Sequence, residues 1–214
     1  KNIIFTSGGS ESNNLAIKGT LGTYSNRGKH IIISSIEHAS VHNQAQRLEE
    51  EGFQVSYLPV DKNGFVNLDK LGELIRKDTI LVSIMHVNNE IGTIQDLKSI
   101  GNLIKEKNSN TIFHVDAVAS FGKLPMKISE WKADLVSVSG HKIHAPKGVG
   151  ALFVKDNLQD KVKSVLRYIY FKITGNFKPY NWFSLNKKIK LYFKWDLKKS
   201  NVPNADKYIC TSVE

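Results

Sequence analysis

Cysteine is almost missing from this chain of 214 residues, which has a single one at position 210. One cysteine cannot form an internal disulfide framework or a multi-cysteine zinc site, so we expect no metal site. Cys210 is then either a buried apolar thiol or a reactive one. No run of about 18 or more apolar residues occurs, so we expect no membrane segment. The first residues lack the layout of a secretory signal, which predicts a cytoplasmic protein.

An excess of negative charge is also lacking, because 30 Lys and Arg outnumber 20 Asp and Glu and give a formal charge of +10. The positive excess lies mainly in residues 156–214, which interleave lysine with aromatic residues. Such a stretch can bind single-stranded nucleic acid. It also arises when a reading frame is lost, and because we favour that interpretation we do not expect nucleic acid as a partner. We therefore predict a domain over residues 1–155 and a separate basic tail over residues 156–214.

Residues 1–155 alternate short apolar runs with longer amphipathic segments, as strands connected by helices do. Most of the runs are rich in Ile and Val, which is typical of parallel strands buried on both faces. This pattern predicts an α/β fold, a three-layer αβα sandwich with a mainly parallel sheet. The predicted strands are residues 2–6, 30–34, 54–59, 81–86, 111–115, 135–139 and 151–154, and the predicted helices include 40–51, 68–76 and 96–107.

Two motifs combine glycines with hydroxyls, amides or lysine. The first, Thr6 to Asn14, follows a strand, and amides at a helix N-terminus can hold a phosphate. Its alternative, weighted equally, is a capping box in which Ser10 merely starts a helix. The second, Ser139 to Gly150, could send Lys142 into a crevice where partial burial frees its amine for a Schiff base. Its alternative is an exposed turn with solvated lysines.

Three further motifs end predicted strands with polar groups. Asp116 closes one apolar run, and a lone acid at such a position needs a partner. Glu37-His38-Ala39-Ser40 follows another, and its imidazole could stack on a ring or act as an acid or base. His86 to Gly92 puts amide side chains at a third strand end. Because open α/β sheets bind ligands at the carboxyl ends of their strands, these motifs predict one shared site.

In their order and spacing, the five motifs resemble those of group I cysteine desulfurases. These are pyridoxal-phosphate (PLP) enzymes of the class V aminotransferase superfamily. The resemblance covers about residues 1–155 and implies the large domain of PLP-dependent transferases, usually a homodimer. It implies release of alanine from L-cysteine and transfer of sulfur to an acceptor or scaffold protein, for iron–sulfur cluster assembly or tRNA thiolation. A selenocysteine lyase, an aminotransferase and a non-catalytic relic that binds a partner are the alternatives.

The resemblance also implies residue roles. Lys142 would form the Schiff base with PLP, Asp116 would pair with the pyridine nitrogen, and His38 would stack on the ring and assist proton transfer. Asn89 would lie near the phenolic oxygen. The phosphate would be held by Gly9, Ser10, Ser139 and His141.

The sequence departs from the family pattern at several positions. Ala119 stands where glutamine is usual, and Ala145 stands where glycine is usual. The family's N-terminal segment, its substrate-carboxylate arginine and its small C-terminal domain have no counterpart in this sequence. Cys210 only weakly resembles the nucleophilic cysteine of the family's mobile loop. We therefore expect a chain that either binds PLP without turnover or fails to hold it.

Overall fold

The computed structural model of the protein describes residues 2–158. Within that range, strands alternate with helices as the sequence predicts. The strands are β1 (Ile3–Thr6), β2 (His30–Ser34), β3 (Gln54–Leu58), β4 (Thr79–Met85), β5 (Ile112–Asp116), β6 (Leu135–Ser139) and β7 (Gly150–Val154). The α-helices are α1 (Gly9–Tyr24), α2 (Ala39–Glu50), α3 (Leu68–Leu74) and α4 (Leu97–Lys107), and short 3₁₀ helices span Gly140–Ile143 and Asp156–Leu158.

All seven strands belong to one sheet, in the order β1-β7-β6-β5-β4-β2-β3. The central pairs are parallel, whereas β7 runs antiparallel to both of its neighbours. Because β1 is antiparallel to β7, it runs in the same direction as the parallel strands. The prediction of a mainly parallel sheet is confirmed. The carboxyl ends of β1, β2, β4, β5 and β6 therefore share one edge, where every predicted motif lies.

Two apolar cores lie on opposite faces of this sheet. Ile31 and Ile33 of β2 belong to the core that includes residues of α1 and α2, and Ile32 belongs to the core that includes residues of α3 and α4. Strands β2, β4 and β5 are buried along their whole length, which explains why their sequences are mostly apolar. The αβα sandwich is confirmed, and the ends of the predicted strands and helices agree with the observed ones to within two residues.

A histidine inside the sheet is bonded through both ring nitrogens. His114 Nδ1 lies 2.8 Å from Ser83 Oγ of β4, and Nε2 lies 2.9 Å from Ser137 Oγ of β6. Burial lowers the pKa of His114 to about 3, so its ring is neutral at physiological pH. His114 therefore joins strands β4, β5 and β6 inside the sheet and does not lie at its carboxyl edge.

The predicted tail over residues 156–214 lies almost wholly outside the described residues, as does Cys210. The boundary at residue 155 therefore stays a prediction. Among residues 2–158, no helix combines the length and the apolar character needed to cross a bilayer.

Candidate active site

Asp116 ends β5 and is only 4% exposed. Its Oδ1 accepts a hydrogen bond from the backbone N–H of Val118 at 2.9 Å, and its Oδ2 accepts one from Asn13 Nδ2 at 2.6 Å. Burial raises the pKa of Asp116, and the two hydrogen bonds counteract part of that effect. A cation would favour the charged form of such a buried carboxyl. The protonated ring nitrogen of PLP is a cation of this kind, so Asp116 fits the role that the resemblance implies.

Asn13 connects Asp116 to His38 across the sheet edge. Besides its bond to Asp116, Asn13 Nδ2 donates to Ser40 Oγ at 2.9 Å, and that hydroxyl lies 2.8 Å from His38 Nδ1. Asn13 Oδ1 is buried and has no partner among residues 2–158. Because an unpaired buried acceptor is costly, this oxygen is a point where a donor of a bound ligand would be stabilised. The orphaned oxygen therefore supports the fit of a polar cofactor beside Asp116.

His38 is the N-cap of α2. Its Nδ1 accepts a hydrogen bond from the backbone N–H of Ser40 at 3.0 Å, and the rest of its ring is exposed. The side chain therefore replaces the usual capping oxygen and holds the imidazole at the mouth of the site.

Glu37, next to His38, is a second buried acid. Its Oε1 accepts hydrogen bonds from Ser34 Oγ at 2.7 Å and from the backbone N–H of Met85 at 2.6 Å. Burial, and secondly the charge of Asp116, raise the pKa of Glu37 to about 8. Glu37 is therefore protonated at neutral pH. The sequence predicted no role for Glu37, although an acid three residues after a buried strand was a usable signal.

The predicted phosphate residues meet where α1 begins. A Cβ added to Gly9 would lie 2.6 Å from Val118 Cγ2, which leaves no room for a larger residue, and 3.5 Å from Ser139 Cβ, an ordinary contact. Ser139 Oγ lies 2.7 Å from His141 Nδ1. Gly9 therefore lies in the first turn of α1, with Ser139 next to it and His141 bonded to Ser139. The free N–H groups of this turn favour an anion.

The capping-box interpretation of Ser10 is wrong. Helix α1 begins at Gly9 and its N-cap is Gly8, which leaves Ser10 in the first turn. Glu11 instead accepts hydrogen bonds from the backbone N–H and the hydroxyl of Ser7, both at 2.6 Å. Glu11 therefore holds the loop before the helix in place, and no side chain caps the helix itself.

Lys142 lies at the same edge as Asp116, because it follows β6 and β6 pairs with β5. Our expectation that Lys142 is partly buried is wrong for the described residues, since its side chain is exposed. The reason is local: Lys142 lies in a 3₁₀ helix beyond the last strand residue, Ser139, so no neighbouring strand flanks it. Lys147 is exposed as well, as the exposed-turn alternative predicts.

Asn89 is exposed in the loop after β4. Its neighbour Asn88 organises that loop instead. Asn88 Oδ1 accepts from the N–H groups of Glu90 and Ile91, and its Nδ2 donates to the Ile36 carbonyl at 3.0 Å. Asn88 therefore links the loop to the segment that precedes His38. This role was not predicted, because the sequence does not distinguish Asn88 from Asn89.

Residues 1–168 match the family model described as Aminotransferase class-V. The chain belongs to the class V aminotransferase family. Enzymes of this family are PLP-dependent, in agreement with the resemblance carried by the motifs.

Individual relatives are cysteine desulfurases by name. The chain is 54% identical over 155 residues to cysteine desulfurase IscS of Vibrio campbellii and 53% identical to that of Photobacterium profundum. Each alignment covers 72% of this chain and 38% of the relative. The chain therefore spans about two fifths of the length of the curated relatives it matches.

Solved structures agree in fold. A NifS-like protein matches with a TM-score of 0.71 at 42% identity, over 73% of this chain and 43% of that one. The structure described as SspA in complex with cysteine matches with a TM-score of 0.68 at 46% identity, over 72% and 44%. The α/β fold of PLP-dependent cysteine desulfurases is thereby confirmed for this chain.

Proposed function

We propose that this chain carries the PLP-binding part of a cysteine desulfurase site. The observation that carries the proposal is the hydrogen-bonded set Asp116, Asn13, Ser40 and His38, at the same sheet edge as Lys142. A lysine for the Schiff base and a buried acid beside the pyridine nitrogen are groups by which PLP enzymes hold their cofactor, and His38 adds an imidazole at the same edge. The 54% sequence identity to a cysteine desulfurase over 155 residues supports this assignment.

PLP, when bound, supplies an electron sink for charge that develops on the substrate. Asp116 would pair with the protonated ring nitrogen, because a nearby cation favours the ionised form of a buried carboxyl. His38 would contact the ring and move protons at the mouth of the site, and Lys142 would supply the amine that attaches the cofactor. Asn89 would approach the phenolic oxygen. The phosphate would be bound by Gly9, Ser10, Ser139 and His141.

The substrate and partners extend the same proposal. L-cysteine is the expected substrate because the closely similar relatives are cysteine desulfurases by name. A sulfur acceptor or scaffold protein and a second copy of the chain in a homodimer follow from the resemblance. We propose a cytoplasmic location, as expected in the sequence analysis. Ala119 leaves the position three residues after Asp116 without a side-chain donor, so we expect the phenolic oxygen to have fewer partners than is usual.

Cofactor binding is tested by titrating PLP into the full 214-residue chain. We expect a visible absorbance band of bound PLP that Lys142→Ala abolishes, because the variant lacks the attaching amine. Lys147→Ala is the matched control, since Lys147 is an exposed lysine of the same segment, and it should keep the band. A folded wild-type chain without the band, or a band that survives in Lys142→Ala, would contradict the proposal.

Product analysis tests the reaction. Incubation with L-cysteine should yield alanine and a sulfur product if the chain turns over as a desulfurase. A keto acid product would favour an aminotransferase, and alanine released only from selenocysteine would favour a selenocysteine lyase. PLP binding without any product would support the expectation of cofactor binding without turnover.

A further inference from the structure

We propose that Asn13 is a positioning residue that joins Asp116 and His38 in one directed hydrogen-bond chain, so that His38 presents its Nε2–H to the site. The inference rests on the proposed function for the identity of the ligand. The chain of hydrogen bonds itself is a property of the protein without any ligand.

The direction of the chain follows from which atoms can donate. The amide nitrogen of Asn13 has two hydrogens and cannot accept, so it donates one to Asp116 Oδ2 and the other to Ser40 Oγ. The Ser40 oxygen therefore acts as an acceptor toward Asn13, and its own hydrogen is directed to His38 Nδ1 at 2.8 Å.

The backbone reinforces this direction. The N–H of Ser40 donates to the same His38 Nδ1 at 3.0 Å, and a backbone N–H can only donate. Nδ1 is thus an acceptor for two donors, and the proton of the neutral ring lies on Nε2. His38 consequently offers the site a hydrogen-bond donor at Nε2, and its Nδ1 lone pair faces Ser40.

Burial makes Asn13 an effective link. Asn13 is 1% exposed and Asp116 is 4% exposed, so little water competes for their hydrogen bond. The bond also lowers the pKa of Asp116, against the larger effect of burial, which favours the ionised carboxylate. The carbonyl oxygen of Asn13 has no partner within residues 2–158, so its two donated bonds alone fix the amide in that range.

The test reads the tautomer of His38 in the absence of PLP. Long-range ¹H–¹⁵N spectra of the full chain, labelled at histidine nitrogens, should show an unprotonated Nδ1 and a protonated Nε2 for His38. Substitution His38→Gln assigns the signals. In Ser40→Ala and in Asn13→Leu, the Nδ1 shift should move toward that of the other tautomer, because the hydroxyl donor is lost or no longer directed.

Ser99→Ala is the matched control. Ser99 stands three residues after the N-cap Asp96 of α4 and bonds to it through both its N–H and its hydroxyl, so the change removes a similar capping hydroxyl far from His38. It should leave the His38 signals unchanged. Ser40 is half-buried, so its variant provides the test even if Asn13→Leu fails to fold.

A protonated Nδ1 in the neutral wild-type ring, or His38 shifts unaffected by both variants, would overturn the inference. A PLP titration adds a second readout: Asn13→Leu should weaken PLP binding by about tenfold to a hundredfold, since it removes a hydrogen bond to a charged group. Failure of the wild-type chain to bind PLP would refute the proposed function, whereas the tautomer result stands or falls without the cofactor.

Discussion

The buried acid Glu37 gives the most quantitative prediction. Its Oε1 is held by Ser34 and Met85, and its Oε2 is buried without a partner among residues 2–158. The substitution Glu37→Gln keeps both of these hydrogen bonds to Oε1 and places a neutral amide nitrogen at the other position. The variant therefore imitates the protonated acid and cannot ionise.

The magnitude follows from the pKa of Glu37. Folding raises it from 4.5 to about 8, a difference of about 3.5 pH units. At 1.36 kcal/mol per unit, the wild-type protein should lose up to about 5 kcal/mol of unfolding free energy as pH rises through this range. The sign is fixed because the folded state keeps a proton that the unfolded state has released. The stabilisation is complete below pH 4.5, and the loss is complete above about pH 8.

Urea unfolding followed by circular dichroism, at intervals between about pH 5 and pH 8, measures this effect. The unfolding free energy of the wild type should fall with pH relative to that of Glu37→Gln, and the difference isolates Glu37 because Asp116 is present in both proteins. Glu50→Gln, at an exposed position of α2, is the control and should follow the wild type. Parallel curves for wild type and Glu37→Gln would refute a protonated Glu37.

Two further predictions concern stability. His114→Phe should cost about 1–3 kcal/mol for each of the two buried hydroxyls it leaves unpaired. The unfolding free energy of the wild type should fall as the pH decreases from 6.5 to about 3, because only the unfolded histidine is protonated in that range. His114→Phe should abolish this part of the pH dependence. Gly150→Ala should destabilise by about 1–3 kcal/mol, because its Cβ would lie 2.6 Å from the Gly8 Cα and backbone cannot yield easily. Gly72→Ala, whose Cβ meets only ordinary contacts at 3.5 Å, is the control, and urea unfolding measures both predictions.

The centre of the sheet was predictable because strands β2, β4 and β5 are buried on both faces. An unbroken run such as the Ile31–Ile33 segment of β2 can be recognised from composition alone, and the position of a polar motif after such a run locates it at the carboxyl edge. The predicted meeting of Asp116 with the glycine motif followed from this edge. The exposure of Lys142 was not predictable, because local sequence does not reveal how a short 3₁₀ helix extends beyond the sheet.

The hydrogen bonds of the site were not predictable. Asn13 and Asp116 are separated by 103 positions in the chain, and nothing in either segment specifies the other as its partner. The predicted capping box does not form, because Glu11 accepts hydrogen bonds from Ser7, which precedes the helix. The motif alone did not specify which local partner Glu11 would bind. Long-range pairs and competing local partners depend on packing, which spacing along the sequence does not encode.

The central claim is that Lys142 is the residue that attaches PLP. Reduction of the PLP-treated full chain with borohydride, followed by proteolysis and mass spectrometry, tests it directly. We predict the phosphopyridoxyl mass on Lys142 in wild type and its absence in Lys142→Ala. A folded chain labelled at Lys147 or at other lysines instead of Lys142, or not labelled at all, would contradict the account.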